Sequence, residues 1–275
     1  MTGTDQVVHA LLRRDRLLTL LLLGTVFTAS WAFVLSGVGM GASALEMTGT
    51  SRMGGMAMET QPWSPGYALV MFFMWWVMMI AMMLPGATPM ILLVAAVNRR
   101  RRESGHAVVS TAVFTASYLT AWAGFSLGAT LLHWAVAQAG LLGPGMVVSS
   151  TLLGGIILMA AGAYQLTPLK QACVRHCRMP ARYLAHHWRP GLTGAIRLGM
   201  QHGAYCLGCC WLLMLLLFVG GVMNLYWIAG LALYVLLEKT LPRGRWLDFA
   251  IGALLTVSGS WLLVTVGSEP AVARL

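Results

Sequence analysis

The apolar residues of this chain fall in long runs that charged side chains hardly interrupt. A helix needs about 20 consecutive apolar residues to cross the hydrocarbon core of a bilayer, and several runs reach that length. Lipid offers the backbone no hydrogen-bond partners, and the runs lack the alternation of a β-barrel, so they must be helical. The sequence therefore predicts an all-α protein, a polytopic transmembrane helical bundle.

Composition excludes an ordinary soluble enzyme, because only 9% of the 275 residues are charged and soluble domains carry about a quarter. The net charge of +10 could suggest nucleic acid. We expect no nucleic acid, because the basic residues fall almost entirely in the connections between apolar runs. Basic loops on one side of a membrane, where they favour the lipid bilayer and its anionic headgroups, explain the charge instead.

We predict about seven spans, forming a single transmembrane domain over residues 1–275. The competing interpretation of the first run is a signal peptide, because Ala42-Ser43-Ala44 resembles a cleavage site. The run is longer than the roughly 7–15 residues of a signal-peptide core, which favours a retained helix. The predicted spans are about 17–38, 66–97, 108–138, 147–169, 195–219, 223–238 and 246–266.

Arginine and lysine then give an orientation. They concentrate in the segments at about 98–107, 170–194 and 239–245, whereas the methionine-rich loop at about 40–62 holds only Arg52. By the positive-inside rule the basic segments are cytoplasmic. This predicts the N-terminus inside and the C-terminus outside.

The fifth predicted span carries His202, Cys206, Cys209 and Cys210. At about 100° per residue these four side chains share one face of a helix. Imidazole and thiol are ligands suited to Cu(I) and to zinc, so the face predicts a metal site. The alternative is that the cysteines pack as small apolar residues in a helix interface. No catalytic residue is predicted.

The second predicted span carries a stripe of methionines that begins at Met71 and Met74. Thioether is a soft ligand for Cu(I), so we expect the mid-span members Met78, Met82 and Met83 to contribute to the same metal site. The competing interpretation is adaptable apolar packing, for which methionine is well suited.

Two further groups are secondary metal candidates. The outer loop carries Met53, Met56 and Met58, in a spacing that resembles Cu(I)-capturing segments, although the loop could instead lie against the membrane. The inner segment after the fourth span carries Cys173, His176 and Cys177, which could form a cytoplasmic metal site, a reducible thiol pair or an incidental part of a solvated loop. We expect all five cysteines to be free or metal-bound.

Two absences limit the chemistry. His133 and His106 lie towards opposite ends of the third span, so we expect no haem held between two histidines. No acidic or basic residue lies well inside a predicted span, which argues against a proton-coupled carrier. Glu238 and Lys239 lie near an inner end, where they would pair or extend to the surface.

Three motifs together carry a resemblance to a known family: Met79-Ile80-Ala81-Met82-Met83-Leu84-Pro85, the segment Tyr164–Lys170 with Cys173 and Cys177, and His202-Gly203-x-Tyr205-Cys206-x-x-Cys209-Cys210-Trp211. Over about residues 60–265 the chain resembles the bacterial domain-of-unknown-function 2182 family of predicted metal-binding integral membrane proteins. The resemblance implies a multi-pass protein of the bacterial cytoplasmic (inner) membrane, with copper as the usual metal.

Three functional hypotheses follow. The first is a Cu(I)-handling membrane protein, acting as a chaperone, delivery factor or conduit with a soluble or membrane metal-accepting partner; zinc is a possible alternative metal. The second is an enzyme, a membrane thiol-disulfide oxidoreductase that uses the cysteines. The third is a non-catalytic assembly subunit of a membrane complex, in which glycines and methionines only pack helices. The first is preferred, which favours a protein that is not an enzyme.

Overall fold

The structure, a computed structural model, describes residues 3–38, 43–48, 62–105, 109–241 and 245–268. Regular structure in these ranges is helical, apart from an isolated bridge between Leu142 and Val148. The α-helices are α1 Gly3–Ser36, α2 Ala44–Thr48, α3 Pro65–Glu103, α4 Thr111–Gln138, α5 Thr151–Gln165, α6 Pro168–Arg178, α7 Pro180–His187, α8 Gly191–Leu215, α9 Leu217–Gly220, α10 Leu225–Thr240 and α11 Arg245–Ser268. The all-α prediction is confirmed.

Four helices in the described part of the chain are long and apolar enough to cross a membrane. A fifth span results if α5 and α6, which meet at a bend of 63°, are counted as one. The other two predicted spans correspond to α4 and α10, and α10 has only 16 residues. Insertion in a membrane is consistent with this finding, whereas seven spans and their orientation stay predictions. The four are Arg16–Ser36, Pro65–Glu103, Gly191–Gly220 and Trp246–Thr265.

Helix α3 is the longest element and lies at the centre of the bundle. It begins at a Ser64 cap, whose hydroxyl accepts a hydrogen bond from the Tyr67 amide at 3.2 Å, and it continues through Pro85 and Pro89. It packs against α1, α4 and α10. Its methionines therefore lie in the core and not against lipid: Met71, Met74, Met78, Met79, Met82 and Met83 are all buried.

Glycines bring two helix pairs into close contact. A Cβ on Gly203 of α8 would lie 2.5 Å from the Cβ of Ala121 on α4. A Cβ on Gly162 of α5 would lie 2.6 Å from the amide nitrogen of Thr256 on α11. Small residues permit such approach between apolar helices, where packing is a main source of association energy. Helix α8 is thus held against α4, with its cysteine-bearing face inside the bundle.

The segment predicted as a basic inner loop is largely helical. The Thr167 hydroxyl caps α6 by accepting from the Lys170 amide, and Pro168 occupies the first turn, where a proline costs no hydrogen bond. The 63° bend after α5 turns α6 back onto the bundle, where it packs on α8 and α10. Two of the cysteines are thereby carried towards α8.

Charged side chains are buried between α6, α10 and α11. Lys170 forms an ion pair with Glu238, both almost fully buried, and Arg178 donates to the Glu238 carbonyl at 2.7 Å and lies 3.9 Å from Asp248. Lys239 is also buried. Of the two outcomes expected from the sequence, pairing and extension to the surface, the structure shows pairing: Glu238 pairs with Lys170, and Lys239 has an interior partner in Cys206. Such partners offset the cost of burying a charged group.

Candidate metal centre

The predicted ligand face of α8 is directed into the core. His202, Cys206, Cys209 and Cys210 are all buried, with no more than 3% of any of them exposed. They are surrounded by side chains of α3, α4, α6 and α10. The helical spacing seen in the sequence thus does place four donor side chains on one interior face.

A sulfur–sulfur contact joins α8 to the methionine-bearing helix. The Cys210 Sγ lies 3.9 Å from the Met83 Sδ. The Tyr118 hydroxyl of α4 bridges the same two helices, because it lies 3.4 Å from the Met83 carbonyl and 3.2 Å from the Cys206 Sγ. Met82 precedes Met83 and is buried in the same core. The predicted meeting of these two helices therefore occurs through Met83 and Cys210.

A buried lysine reaches the same cysteine. Lys239 of α10 donates from its Nζ to the Cys206 Sγ at 3.0 Å. Its side chain crosses α3 at Gly86, where an added Cβ would lie 3.1 Å from the Lys239 Cδ. An ammonium at this distance, away from water, is a charge partner for a thiolate.

Lys239 was not among the residues selected from the sequence. A Glu–Lys pair at the end of an apolar run normally indicates a helix end at a membrane surface. The available signal was the length of that run: α10 has 16 residues, fewer than the roughly 20 of a full span. Its last turn can therefore remain within the bundle.

The cysteines of α6 lie beside those of α8. The Cys177 side chain lies near the Cys206 and Cys209 side chains. Cys173 packs against Gly208, where an added Cβ would lie 2.7 Å from the Cys173 Sγ. The α8 cysteines are buried, whereas Cys173 and Cys177 are half-buried, and all five are free thiols. The two groups that the sequence treats as separate candidates are neighbours.

The thiols of α8 do not form a closed cage. Cys209 and Cys210 each donate to the Cys206 carbonyl at 3.0 Å. Among the described residues, no group of three or more His, Cys, Asp and Glu side chains is arranged to hold one metal ion. The soft atoms instead form a series of pairwise contacts from α3 through α8 to α6. We refer to Met83, Cys177, Cys206, Cys209 and Cys210 as the sulfur cluster.

The histidines have aromatic surroundings. The His202 ring lies 5.6 Å from the Tyr118 ring and 6.0 Å from the Phe114 ring, one helical turn before Cys206. The His176 ring stacks on Tyr205 at 4.1 Å, and its Nδ1 lies 2.8 Å from the Ala172 carbonyl. His176 is therefore held against Tyr205 of α8.

Other sequence candidates lie apart from the cluster or outside the described residues. Met53, Met56 and Met58 lie outside the described residues. His133 accepts from the Trp75 indole at 3.4 Å and contacts the Trp63 and Phe218 rings. His133 is thus enclosed by aromatic side chains that do not belong to the surroundings of His202.

The start of the methionine-rich loop is described and is anchored to the bundle. The Ser43 amide donates to the Glu46 carboxylate at 2.8 Å, which with the Ser43 hydroxyl lowers the pKa of Glu46. The Thr48 hydroxyl accepts from the Leu225 amide at 2.9 Å. This contact ties α2 to the first turn of α10.

Comparison with known proteins supports copper chemistry. A profile of the PpoB2 family, described as a copper chaperone, matches residues 72–262, which is more than half of the chain. The matched range contains all five members of the sulfur cluster and Lys239. No curated protein and no solved structure matches the chain.

The match bears on the resemblance noted from the three motifs. It supports copper as the metal, and it does not confirm the name of the family of unknown function. The chain belongs to the PpoB2 copper chaperone family.

Proposed function

We propose that this protein binds Cu(I) at the sulfur cluster and passes it to a metal-accepting partner protein. The observation that carries the proposal is the convergence on α8 of a thioether and an ammonium. Met83 contacts Cys210 at 3.9 Å, and Lys239 contacts Cys206 at 3.0 Å. Membership of a copper chaperone family supports the choice of metal.

The donor set suits Cu(I) in particular. Thiolate and thioether are soft ligands, and soft ligands favour Cu(I) over the harder divalent ions. Cu(I) is satisfied by two or three such donors, so a closed four-ligand cage is not needed. In this proposal Cys206 and Cys210 are the principal ligands, Met83 the third, and His202 and Cys209 the neighbours that can exchange with them.

Charge balance gives Lys239 a role. Two thiolates and one Cu(I) ion carry a net charge of −1, and an unpaired charge within a helical bundle is costly. The Lys239 ammonium, 3.0 Å from the Cys206 Sγ, brings the total to zero. In this proposal Lys239 is the counter-ion of the copper site and not a ligand.

A series of neighbouring soft donors permits movement of the ion. Met78 and Met82 precede Met83 on α3, and we propose that they relay copper to the cluster from the outer methionines at 53, 56 and 58. On the other side, Cys177 adjoins Cys206, and Cys173 lies one turn before Cys177 at a half-buried position. We assign Cys173 as the thiol from which a partner takes the ion.

Metal analysis of the purified protein tests the proposal. After loading with Cu(I) and removal of free metal, the wild-type protein should retain copper, and Cys206→Ser/Cys210→Ser should lose most of it. Cys173→Ser is the matched control, because it removes a thiol outside the ligand set and should retain copper. Equal copper in the double variant and the wild type, with both proteins monodisperse and helical, would leave the cysteines with a packing role only.

A second function is favoured by one observation, the proximity of Cys177 on α6 to Cys206 and Cys209 on α8. A membrane thiol-disulfide oxidoreductase could form a disulfide here, giving two electrons and two protons to a quinone. Alkylation and mass analysis after quinone treatment test this function. A Cys177–Cys206 disulfide would support it, and free thiols throughout would exclude it.

A further inference from the structure

An arginine-lined cavity lies far from the sulfur cluster along α3. It has a volume of about 550 Å³ and lies between α1, the last turns of α3 and the first residues of α4 and α8. One wall is basic and contains Arg99 and Arg102. The lining from α1 and α8 includes the apolar side chains Leu18, Leu22 and Leu192.

The cavity lining includes two arginines from α3. Arg99 and Arg102 are three residues apart on α3, so they project from the same side of the helix. Among the described side chains, the ion pairs are Lys170–Glu238 and Arg178–Asp248. Neither guanidinium in the cavity is thus neutralised by a described carboxylate.

The cavity wall is fixed by hydrogen bonds from Asn98, which is itself buried. Its Oδ1 accepts from the Val109 amide at 2.9 Å, and its Nδ2 donates to the Thr111 hydroxyl at 3.0 Å. These bonds hold the start of α4 against the end of α3. Ser110 and Thr111, at the start of α4, line the cavity, and a helix N-terminus adds partial positive charge.

The position along the helices matches a membrane surface. The candidate span in α1 begins at Arg16, and Leu18 and Leu22 follow within its first two turns. Arg99 and Arg102 lie in the last turns of the candidate span in α3, which runs alongside α1. The cationic and apolar walls therefore meet where both spans end, at the level at which headgroups meet acyl chains.

We propose that this cavity binds an anionic phospholipid. Arg99 and Arg102 pair with the phosphate of the headgroup, and the leucines of α1 and α8 contact the first part of an acyl chain. Guanidinium groups bind phosphate through paired charged hydrogen bonds, and basic pockets between spans are suited to anionic headgroups. The apolar side chains that line the same cavity as the arginines favour a lipid over a free phosphate ion.

Binding of added lipid to the purified, delipidated protein tests the proposal. We expect phosphatidylglycerol to raise the midpoint of thermal unfolding in detergent, and phosphatidylcholine to have little effect. Arg99→Gln and Arg102→Gln should each weaken phosphatidylglycerol binding by roughly fivefold, since one arginine near an anionic headgroup contributes about that factor. Arg102→Lys, which keeps the charge, should retain most of the binding.

Arg100→Gln is the matched control, because it removes the same charge from the same turn without lining the cavity. An equal loss in Arg100→Gln would mean general surface attraction and would overturn the site. A stabilisation by inorganic phosphate equal to that by phosphatidylglycerol would mean a free anion site and would overturn the lipid. Copper content should be unchanged in all four variants, so the result is separate from that of the proposed copper function.

Discussion

Lys239 is the side chain on which the charge of the sulfur cluster depends. It is buried on α10, crosses α3 over Gly86 and ends 3.0 Å from the Cys206 Sγ. An ammonium in such surroundings needs a negative partner, and a thiolate supplies one. In the proposed copper site, Lys239 and Cys206 therefore act together.

Replacement of the lysine gives the first prediction. Lys239→Met removes the counter-ion but keeps an unbranched side chain, so the Cu(I) affinity should fall by about tenfold to a hundredfold, as for other residues that support metal ligands. Lys239→Arg keeps the charge, so its Cu(I) affinity should fall less. Competition with a Cu(I) chelator of known affinity measures both. Wild-type affinity in Lys239→Met would contradict the counter-ion role.

The second prediction concerns the contribution of Met83 to Cu(I) affinity, compared with that of Met78. Met83 contacts the Cys210 thiol at 3.9 Å, whereas Met78 is buried further along α3. Leucine replaces methionine with little change of volume. Met83→Leu should therefore lower the Cu(I) affinity at the cluster, and Met78→Leu, the control, should leave it unchanged. If the two variants bind copper equally well, Met83 is a packing residue.

Helix α6 connects the sulfur cluster with a less buried part of the protein. Because the bend after α5 turns α6 onto α8, Cys177 adjoins the buried thiols, while Cys173 lies one turn away, half-buried against Gly208. A short helix thus connects the buried thiols of α8 with a half-buried thiol.

The third prediction concerns transfer along α6. Cys173→Ser should contain as much copper as the wild type. It should transfer that copper to a competing thiol such as glutathione several times more slowly, since ligand exchange would lack its outer step. Ala172→Ser, the adjacent position on the same helix, is the control. Stopped-flow transfer to a chromophoric Cu(I) acceptor measures the rate. An unchanged rate in Cys173→Ser would mean that copper leaves by another route.

The fourth prediction concerns the packing of α5 on α11. Gly162→Ala would place a Cβ 2.6 Å from the Thr256 amide nitrogen, and such overpacking costs about 1–3 kcal/mol of folding free energy. Gly154→Ala on the same helix meets nothing within 4 Å and should not destabilise. Thermal unfolding in detergent compares them. The copper content per folded molecule should be equal in both, because neither glycine adjoins the sulfur cluster.

At the scale of the whole molecule, the periodicity of the sequence predicts the helical class and the inward ligand face. A run of apolar residues has few alternatives to a helix in lipid, and a spacing of three and four residues fixes which side chains share a face. That reasoning places Cys206, Cys209 and Cys210 together, and the structure buries all three.

The rest of the site depends on contacts between distant parts of the chain. Nothing local at Lys239 indicates that it reaches Cys206, because that contact requires the glycine at position 86 and the short α10. Likewise, a basic segment with two cysteines resembles a solvated loop until the bend at residues 166–167 folds α6 back. Tertiary arrangement, not local pattern, brings these residues to the cluster.

X-ray absorption by copper in the loaded protein tests the central claim most directly, because it identifies the atoms around the metal. The account predicts Cu(I) with sulfur as its nearest neighbours in the wild type, and loss of most of that sulfur signal in Cys206→Ser/Cys210→Ser. A copper ion surrounded by nitrogen and oxygen alone, or an identical sulfur signal in the double variant, would contradict the assignment of the sulfur cluster as the copper site.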